Sequence, residues 1–294
     1  MPFSIGLEIE GIALARASSS TALPSRLEDQ LSLVANALRE AGIPSRVYIP
    51  SSTRGSGPDY DVWNITTDAT ISELTSGSES DASVFQTRYG FELISPIFNV
   101  VGDEWKNTLE RALESIGDVI KWKANRSTGL HVHLGHLKDA PGFTLEQVKR
   151  VAMLYCRFEN AIDEFHPMHR QLDNDNILSN RHNDLLNASS LSEVYSIIQA
   201  APDTANLCSI MNHTGGTERY DGYSDSRFFK VNFTSLQKHG TIEFRQHQGT
   251  TMPAAIIKWV RFIIIFVEFA LTAPLDVITA PGETFEDMAR LIRQ

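Results

Sequence analysis

The sequence predicts an α+β fold in which an antiparallel sheet has one polar face. Three observations support this prediction: several segments alternate apolar and polar residues, helical patterns lie between them, and two segments near the C-terminus are joined like a β-hairpin. The chain has 294 residues, 42% of them hydrophobic, which is enough for a sizeable buried core. This length suits one large domain or two small ones, and we expect a single domain over residues 1–294.

Five segments place apolar residues at helical spacing. The first opens at a capping box formed by Ser25 and Glu28 and closes at Gly42, a residue type common just after a helix. The last, at 254–271, belongs to a membrane-like stretch, but three charged residues interrupt that stretch, so we predict a buried core helix. The other three helices are predicted at 103–119, 144–162 and 191–200.

Three polar segments, at 50–59, 75–89 and 212–226, predict long loops. Loops of this length and polarity either form lids over active sites or are simply mobile insertions. The sequence favours neither reading.

The net charge of the chain disfavours some classes of binding partner. The formal net charge is −10 and the pI is near 5.4, which argues against binding to nucleic acid or to anionic lipid. There are two cysteines, Cys156 and Cys208, and such low cysteine use is typical of a reducing compartment. The N-terminal residues read as a strand and not as a signal peptide, so we expect a cytoplasmic protein.

Strand parity places two carboxylates side by side near the N-terminus. Successive side chains of a strand point to opposite faces, so residues two apart share a face. In the segment 3–10, the odd positions are all apolar, whereas Glu8 and Glu10 share the other face, roughly 6 to 7 Å apart. Like charges this close repel each other unless water or a cation lies between them.

The same parity argument gives a polar face to four further segments, at 91–95, 129–134, 230–234 and 241–247. The segments at 230–234 and 241–247 form the predicted hairpin, with a turn at 237–240. The polar residues expected to face outward on the four segments are Glu92, His131, His133, Lys230, Asn232, Thr234, Thr241, Glu243, Arg245 and His247.

Each of these patterns alone is typical of an amphipathic sheet with a solvated face. Together they collect four glutamates, two histidines and one arginine, where an ordinary solvated face favours threonine, lysine and mixed charges. Carboxylates with one or two imidazoles suit Mg²⁺ or Mn²⁺. Zinc is not indicated, because the H-E-x-x-H pattern and a cysteine ligand set are both absent from the sequence.

The order of these motifs resembles that of the amidoligase family, whose members are relatives of glutamine synthetase and glutamate–cysteine ligase. The resemblance runs from Gly6 to about Ala270. It rests on five motifs, Gly-Leu-Glu-Ile-Glu at 6–10, Trp-Asn-Ile-Thr-Thr-Asp at 63–68, Phe-Glu-Leu-Ile-Ser-Pro at 91–96, Gly-Leu-His-Val-His at 129–133 and Gly-Thr-Ile-Glu-Phe-Arg at 240–245. The chain departs from many members after Arg170, where it has Asn-Asp-Asn at 174–176 in place of a cysteine-containing stretch.

The resemblance implies a glutamine synthetase-like curved antiparallel β-sheet, with metals and ATP on its concave face and helices packed on its convex face. It implies that Arg245 steadies the γ-phosphate, with Lys230 either assisting or simply solvated. It also implies two metal ions. The first would be held by Glu8, Glu243 and one of His131 and His133, and the second by Glu10 and Glu92.

Three further roles stay open at this point. Asp68 either receives the amine substrate or fixes a loop. Arg170 either binds a substrate carboxylate or forms a surface ion pair. Trp63 is expected to pack in the core rather than to stack on adenine.

The reaction implied by the resemblance joins a small carboxylic acid to an amine with ATP and Mg²⁺, through an acyl phosphate. The absence of a Gly-x-Ser-x-Gly motif agrees with a route that needs no covalent nucleophile of the enzyme. The alternatives are a guanidino kinase-type phosphotransferase, a metal-dependent amide hydrolase and a non-catalytic binding protein of the same fold. The sequence does not specify the acid, the amine or the oligomeric state.

Overall fold

The computed structural model describes residues 2–16, 24, 26–50, 57–72, 85–171, 175–215 and 226–293. The chain divides into two compact units, each described by itself below. The N-terminal unit comprises Ser4–Val132 and Gln248–Lys258. The C-terminal unit comprises Met1–Phe3, His133–His247 and Trp259–Gln294.

The described residues form an α+β fold with a large, mostly antiparallel sheet. The strands are β1 (Phe3–Arg16), β2 (Ser45–Val47), β3 (Trp63–Thr66), β4 (Phe85–Ile94), β5 (Phe98–Asn99), β6 (Lys121–Lys123), β7 (Gly129–His136), β8 (Val231–Asn232) and β9 (Ile242–Gln248). The helices are α1 (Leu27–Glu40), α2 (Glu104–Val119), α3 (Leu145–Asp163), α4 (Met168–Gln171), α5 (Leu191–Ala200), α6 (Thr204–Met211), α7 (Ser235–His239), α8 (Pro253–Thr272), α9 (Leu275–Ile278) and α10 (Phe285–Ile292).

In the N-terminal unit the strand order is β2-β3-β4-β1-β7, with β5 and β6 also paired to β1. The odd-numbered residues of β1 from Ile5 to Ala13 are buried among apolar side chains, as strand parity predicts. Helices α1 and α2 contact each other, and α1 also contacts β2 and β3. The hydroxyl of Tyr89 donates to the backbone carbonyl of Gln30, 3.0 Å away, which ties α1 to the apolar face of β4.

In the C-terminal unit the strand order is β7-β9-β8, and α3 is the central helix. It contacts α4, α5, α6, α9 and α10. Arg157 on α3 is buried and donates to the carbonyls of Val277, Ile278, Pro281 and Gly282, which fixes the end of α9 and the segment after it.

Most predicted helices are confirmed. Helix α5 has the predicted bounds, and α3 begins at the predicted capping box of Thr144 and Gln147. Gly42 follows the end of α1 at positive φ, 73°. The amides of Gly42 and Ile43 bond back to the carbonyls of Arg39 and Leu38 in a Schellman arrangement.

The start of α1 differs from the prediction. Its N-cap is Arg26, which makes no side-chain cap bond, while Ser25 lies outside the described residues.

Three strand predictions need correction. Strand β4 begins at Phe85 and not after the loop predicted at 75–89, because its first residues pair with the far end of β1, for example Thr87 with Ala15. The sheet is not wholly antiparallel, because β2 pairs with β3 in parallel. The hairpin of β8 and β9 is confirmed, but the short helix α7 joins its strands, and this helix ends at Gly240 with φ of 69°.

Parts of all three predicted loops, 51–56, 75–84 and 216–225, lie outside the described residues. Cys156 and Cys208 are both buried and free. Among the described residues, no helix is long and apolar enough to cross a membrane.

Candidate active site

In the N-terminal unit, β1 and β7 bring two glutamates to one histidine. His131 Nδ1 lies 2.9 Å from Glu8 Oε2, and His131 Nε2 lies 3.6 Å from Glu10 Oε1. The second oxygen of Glu10 accepts a hydrogen bond from the backbone amide of Gly129 at 2.6 Å. His131 and Glu10 are buried, whereas Glu8 is partly exposed. The imidazole is therefore held between two carboxylates, one of them fixed by the backbone of β7.

Glu92 of β4 completes this cluster. Glu92 is buried and is the register partner of Glu10, so both side chains project from the same face of the sheet. Glu10, Glu92 and His131 each offer one ligand atom, and these three atoms lie within 4.8 Å of one another. We call these three residues the carboxylate–histidine cluster.

The chemistry of the cluster fits a divalent cation. Two buried carboxylates at this distance repel each other, and burial strengthens the repulsion because water no longer screens it. Oxygen ligands with one imidazole suit Mg²⁺ or Mn²⁺. The donor set thus agrees with the predicted ligand types, while the role of each residue as a ligand stays a prediction.

A short loop after β3 lies beside the cluster. Asp68 Oδ1 accepts hydrogen bonds from the amide and the hydroxyl of Thr70, both at 2.6 Å, so Asp68 does fix a turn. The turn carries Ile71 across Gly90 of β4, where an added Cβ would lie 2.6 Å from Ile71 Cγ2. Gly90 therefore allows the loop to lie close against the strand that bears Glu92.

Tyr60, which no sequence pattern indicated, lies near Glu8 and Glu92. Burial raises the pKa of Tyr60, and the negative charges of Glu8 and Glu92 also raise it. The backbone carbonyl of Tyr60 accepts from the amide of Ile97 at 2.9 Å, which holds this residue beside the end of β4. No periodic pattern marks Tyr60, because it belongs to a loop.

In the C-terminal unit, β9 places a glutamate and an arginine together. Arg245 Nη1 donates to Glu243 Oε1 at 2.6 Å, and Asn232 Nδ2 of β8 donates to Glu243 Oε2 at 2.7 Å. All three side chains are buried. The parity prediction that Glu243 and Arg245 share a face is confirmed, but Asn232 was wrongly expected to face solvent.

His133 belongs to the same group. Its Nε2 lies 3.7 Å from Glu243 Oε1, and its Nδ1 lies 3.0 Å from the Thr241 hydroxyl. Ser235 Oγ contacts the Thr241 hydroxyl at 2.8 Å and His133 Nδ1 at 3.3 Å. The two hydroxyls hold the ring so that Nε2 faces the carboxylate.

Lys230 was predicted to face solvent, but it is buried. Its side chain is 3% exposed, and Nζ donates to Glu159 Oε1 at 3.1 Å and to Asp163 Oδ2 at 2.8 Å, both on α3. Burial by itself lowers the pKa of Lys230, but the two carboxylates outweigh it, so the pKa is raised. Burial raises the pKa of Asp163 to about 6, in spite of its bond from Lys230. Lys230 is thus not solvated, and its role at a phosphate stays a prediction.

Arg170 is also buried, which excludes the surface ion pair, one of its two alternatives. The other alternative, binding of a substrate carboxylate, stays a prediction. Arg170 Nη2 donates to the carbonyl of Arg245 at 2.5 Å, and its Nε donates to the carbonyl of Gln246 at 3.1 Å. The Gln246 side chain in turn bonds to Tyr155 and Asp163. These contacts make Arg170 a residue that holds the backbone of β9.

Trp63 packs in the core against Phe98, as expected.

A comparison with protein families agrees with the order of the sequence motifs. The family described as "Putative amidoligase enzyme" matches residues 2–267. A cryo-EM structure of Plasmodium falciparum glutamine synthetase is similar at 12% identity and a TM-score of 0.37, covering 92% of this chain and 52% of that one. The chain therefore spans about half the length of that relative. No curated protein matches the chain. Because the family match covers most of the sequence, this chain belongs to the amidoligase family.

Proposed function

We propose that this protein is an ATP- and Mg²⁺-dependent ligase that joins a small carboxylic acid to an amine through an acyl phosphate. Membership of the amidoligase family supports carboxylate–amine ligation in general terms. The observation that carries the finer proposal is the carboxylate–histidine cluster of Glu10, Glu92 and His131, with three ligand atoms within 4.8 Å.

The reaction needs an activated acid, because a carboxylate is a poor electrophile. A carboxylate oxygen attacks the γ-phosphorus of ATP and ADP leaves. The amine nitrogen then attacks the acyl carbon, inorganic phosphate leaves, and the nitrogen loses a proton. Mg²⁺ on the cluster would neutralise charge on the transferring phosphoryl group, which is the usual contribution of metals to phosphoryl transfer.

The residues of β9 are suited to the phosphate. Arg245 presents a planar fork of donors that matches phosphate oxygens, and the bond to Glu243 orients that fork before substrate arrives. Arg170 holds the carbonyls of Arg245 and Gln246, so it acts as a positioning residue of this strand. His133 and Glu243 together offer a nitrogen and an oxygen ligand.

Asp68 is suited to the amine. One of its carboxylate oxygens is used by Thr70, and within the described part of the chain no contact of the other oxygen is found. A carboxylate on a fixed turn can hold a cationic nitrogen and accept the proton that the nitrogen loses on attack.

A screen of acid and amine pairs tests this proposal. The protein is incubated with ATP and Mg²⁺ and each pair, and released ADP and phosphate are measured. We expect ADP release that requires the acid, the amine and the metal together. Amide formation without nucleotide would instead reveal a transferase or a hydrolase run in reverse, and phosphorylation of the amine without amide would reveal a kinase.

A further inference from the structure

The hydroxyl of Thr66 lies next to the carboxylate–histidine cluster and is buried. Thr66 is 3% exposed, and its Oγ1 has no hydrogen-bond partner among the described residues. Thr66 is the register partner of Glu92, which is itself the register partner of Glu10. Register partners on adjacent strands share a face, with Cβ atoms about 5 Å apart. Thr66, Glu92 and Glu10 therefore form one row across β3, β4 and β1.

A buried hydroxyl without a partner is unfavourable, and folded proteins satisfy nearly all such groups. Valine has the same shape and would fill the position without this penalty. The retained hydroxyl therefore points to a bonding partner that is not part of the described chain.

The loop that follows Thr66 shapes the space beside this row. Asp68 is two residues further on and is fixed by Thr70. Ile71 lies on Gly90, which precedes Glu92 by two residues and so shares its face. The amide of Ser72 donates to Ser127 Oγ at 2.8 Å, which anchors the far end of the loop. These contacts fix the loop against β4 beside the Thr66–Glu92–Glu10 row.

The charges in this region indicate which kind of ligand it can bind. The row and the loop carry three carboxylates, on Glu10, Glu92 and Asp68. By register, one cation lies on this face in each adjacent row: Lys123 pairs with Ile12, and Arg46 pairs with Asn64. The three carboxylates outnumber these two cations. A second carboxylate would be repelled beside Asp68, whereas a nitrogen with several N–H bonds would be attracted.

We propose that Thr66 is a substrate-contacting residue whose hydroxyl oxygen accepts one N–H of the amine while Asp68 accepts another. This inference rests on the proposed ligase function and narrows its second substrate. Two acceptors require at least two N–H bonds, so the substrate class is ammonia or a primary amine. A secondary amine, which has one N–H bond in its reactive neutral form, fits this site poorly.

Thermal unfolding of the ligand-free protein tests the inference without nucleotide or turnover. Thr66→Val removes the hydroxyl and keeps the shape, and Thr66→Ser keeps the hydroxyl. Thr67→Val is the matched control, because it makes the same change at a neighbouring partly exposed position. Each protein is melted with methylammonium chloride and with an equal concentration of tetramethylammonium chloride, which has no N–H bond.

We expect Thr66→Val to raise the Tm of the free protein by about 2 to 4 °C, because it removes an unsatisfied buried group. We expect methylammonium, and not tetramethylammonium, to stabilise the wild type, Thr66→Ser and Thr67→Val. Thr66→Val should lose this difference.

Three results would overturn the inference: a lower Tm for Thr66→Val, an unchanged methylammonium effect in that variant, or equal effects of both cations on the wild type. Because the assay contains no ATP, its failure leaves the ligase proposal standing. Conversely, failure of every ligation assay would leave a measured amine site in place.

Discussion

Arg245 donates to Glu243 at 2.6 Å, although the two residues are only two positions apart on one strand. Both side chains are buried, and Asn232 holds the other oxygen of the same carboxylate. The guanidinium is therefore oriented by a fixed partner before any substrate binds. Preorganised charge of this kind is the largest single contribution to many enzymatic rates.

Glu243→Gln keeps the shape of the side chain and removes its charge. We expect turnover to fall about 10²- to 10³-fold while the fold is kept, because Arg245 loses the charged partner that orients it. The matched control is Glu286→Gln, the same change at an exposed position of α10. ADP release and circular dichroism provide the measurements, and activity close to wild type would remove Glu243 from the site.

Arg245→Lys keeps the positive charge and loses the planar fork. We expect a similar loss of turnover, of about 10²-fold or more, because a lysine cannot bind phosphate oxygens in a bidentate manner. Arg290→Lys, on the exposed face of α10, serves as the control. If Arg245→Lys turned over ATP at the wild-type rate, charge alone would explain the role of this position.

The Lys230→Met variant distinguishes a structural role of Lys230 from a role in binding phosphate. It leaves Glu159 and Asp163 buried near each other without their cation, so we expect a loss of about 3 to 5 kcal/mol in the free energy of unfolding. The urea midpoint measures this loss, and Lys258→Met at an exposed site is the control. Unchanged stability with a raised KM for ATP would restore Lys230 to the nucleotide site.

Because the pKa of His166 is lowered, we expect the stability of the protein to depend on pH. Burial lowers the pKa of His166 to about 3, and the charges of Arg170 and Lys230 add to this effect. The unfolded chain takes up a proton as the pH falls below 6.5, whereas the folded protein does not, so stability decreases between pH 6.5 and about pH 3.

The contribution of His166 is about 2 kcal/mol between neutral pH and about pH 5. His166→Phe should therefore lose less stability over this range than the wild type does in parallel urea titrations. Identical slopes for the two proteins would contradict the burial of a neutral imidazole.

The carboxylate–histidine cluster predicts opposite effects of one substitution with and without metal. Glu92→Gln relieves repulsion from Glu10, so we expect it to raise the Tm of the metal-free protein. The same change weakens the ion site, so it should reduce the stabilisation given by millimolar Mg²⁺ with an ATP analogue. Glu114→Gln, at an exposed position of α2, should change neither. A wild type that responds to no combination of Mg²⁺, Mn²⁺ and nucleotide would refute the metal assignment.

Much of the fold could be predicted, because its signals are local. The apolar alternation in β1 and the capping box at Thr144 depend on residues a few positions apart, and the structure has both. Parity also predicted that Glu10, Glu92 and His131 share a polar face. Applied to β3, it would have found Thr66, which lies on the face opposite to Trp63 and Ile65.

The errors came from contacts between distant segments. Lys230 was expected to face solvent because its strand has a polar side, but Glu159 and Asp163 lie on α3, about 70 residues earlier in the chain, and no pattern links the two segments. The first residues of β4 include Gln86, Thr87 and Arg88, which resemble a loop in composition. Their strand conformation follows from pairing with β1, which only the folded chain reveals.

The central claim, an acyl phosphate formed from ATP, is tested most directly by isotope transfer. Once a substrate pair is known, the carboxylate of the acid is labelled with ¹⁸O and the products are analysed by mass spectrometry. An acyl phosphate carries one carboxylate oxygen into inorganic phosphate, so we expect one label in the released phosphate and ADP as the nucleotide product. Label in AMP, or amide formation without any label in phosphate, would contradict the account.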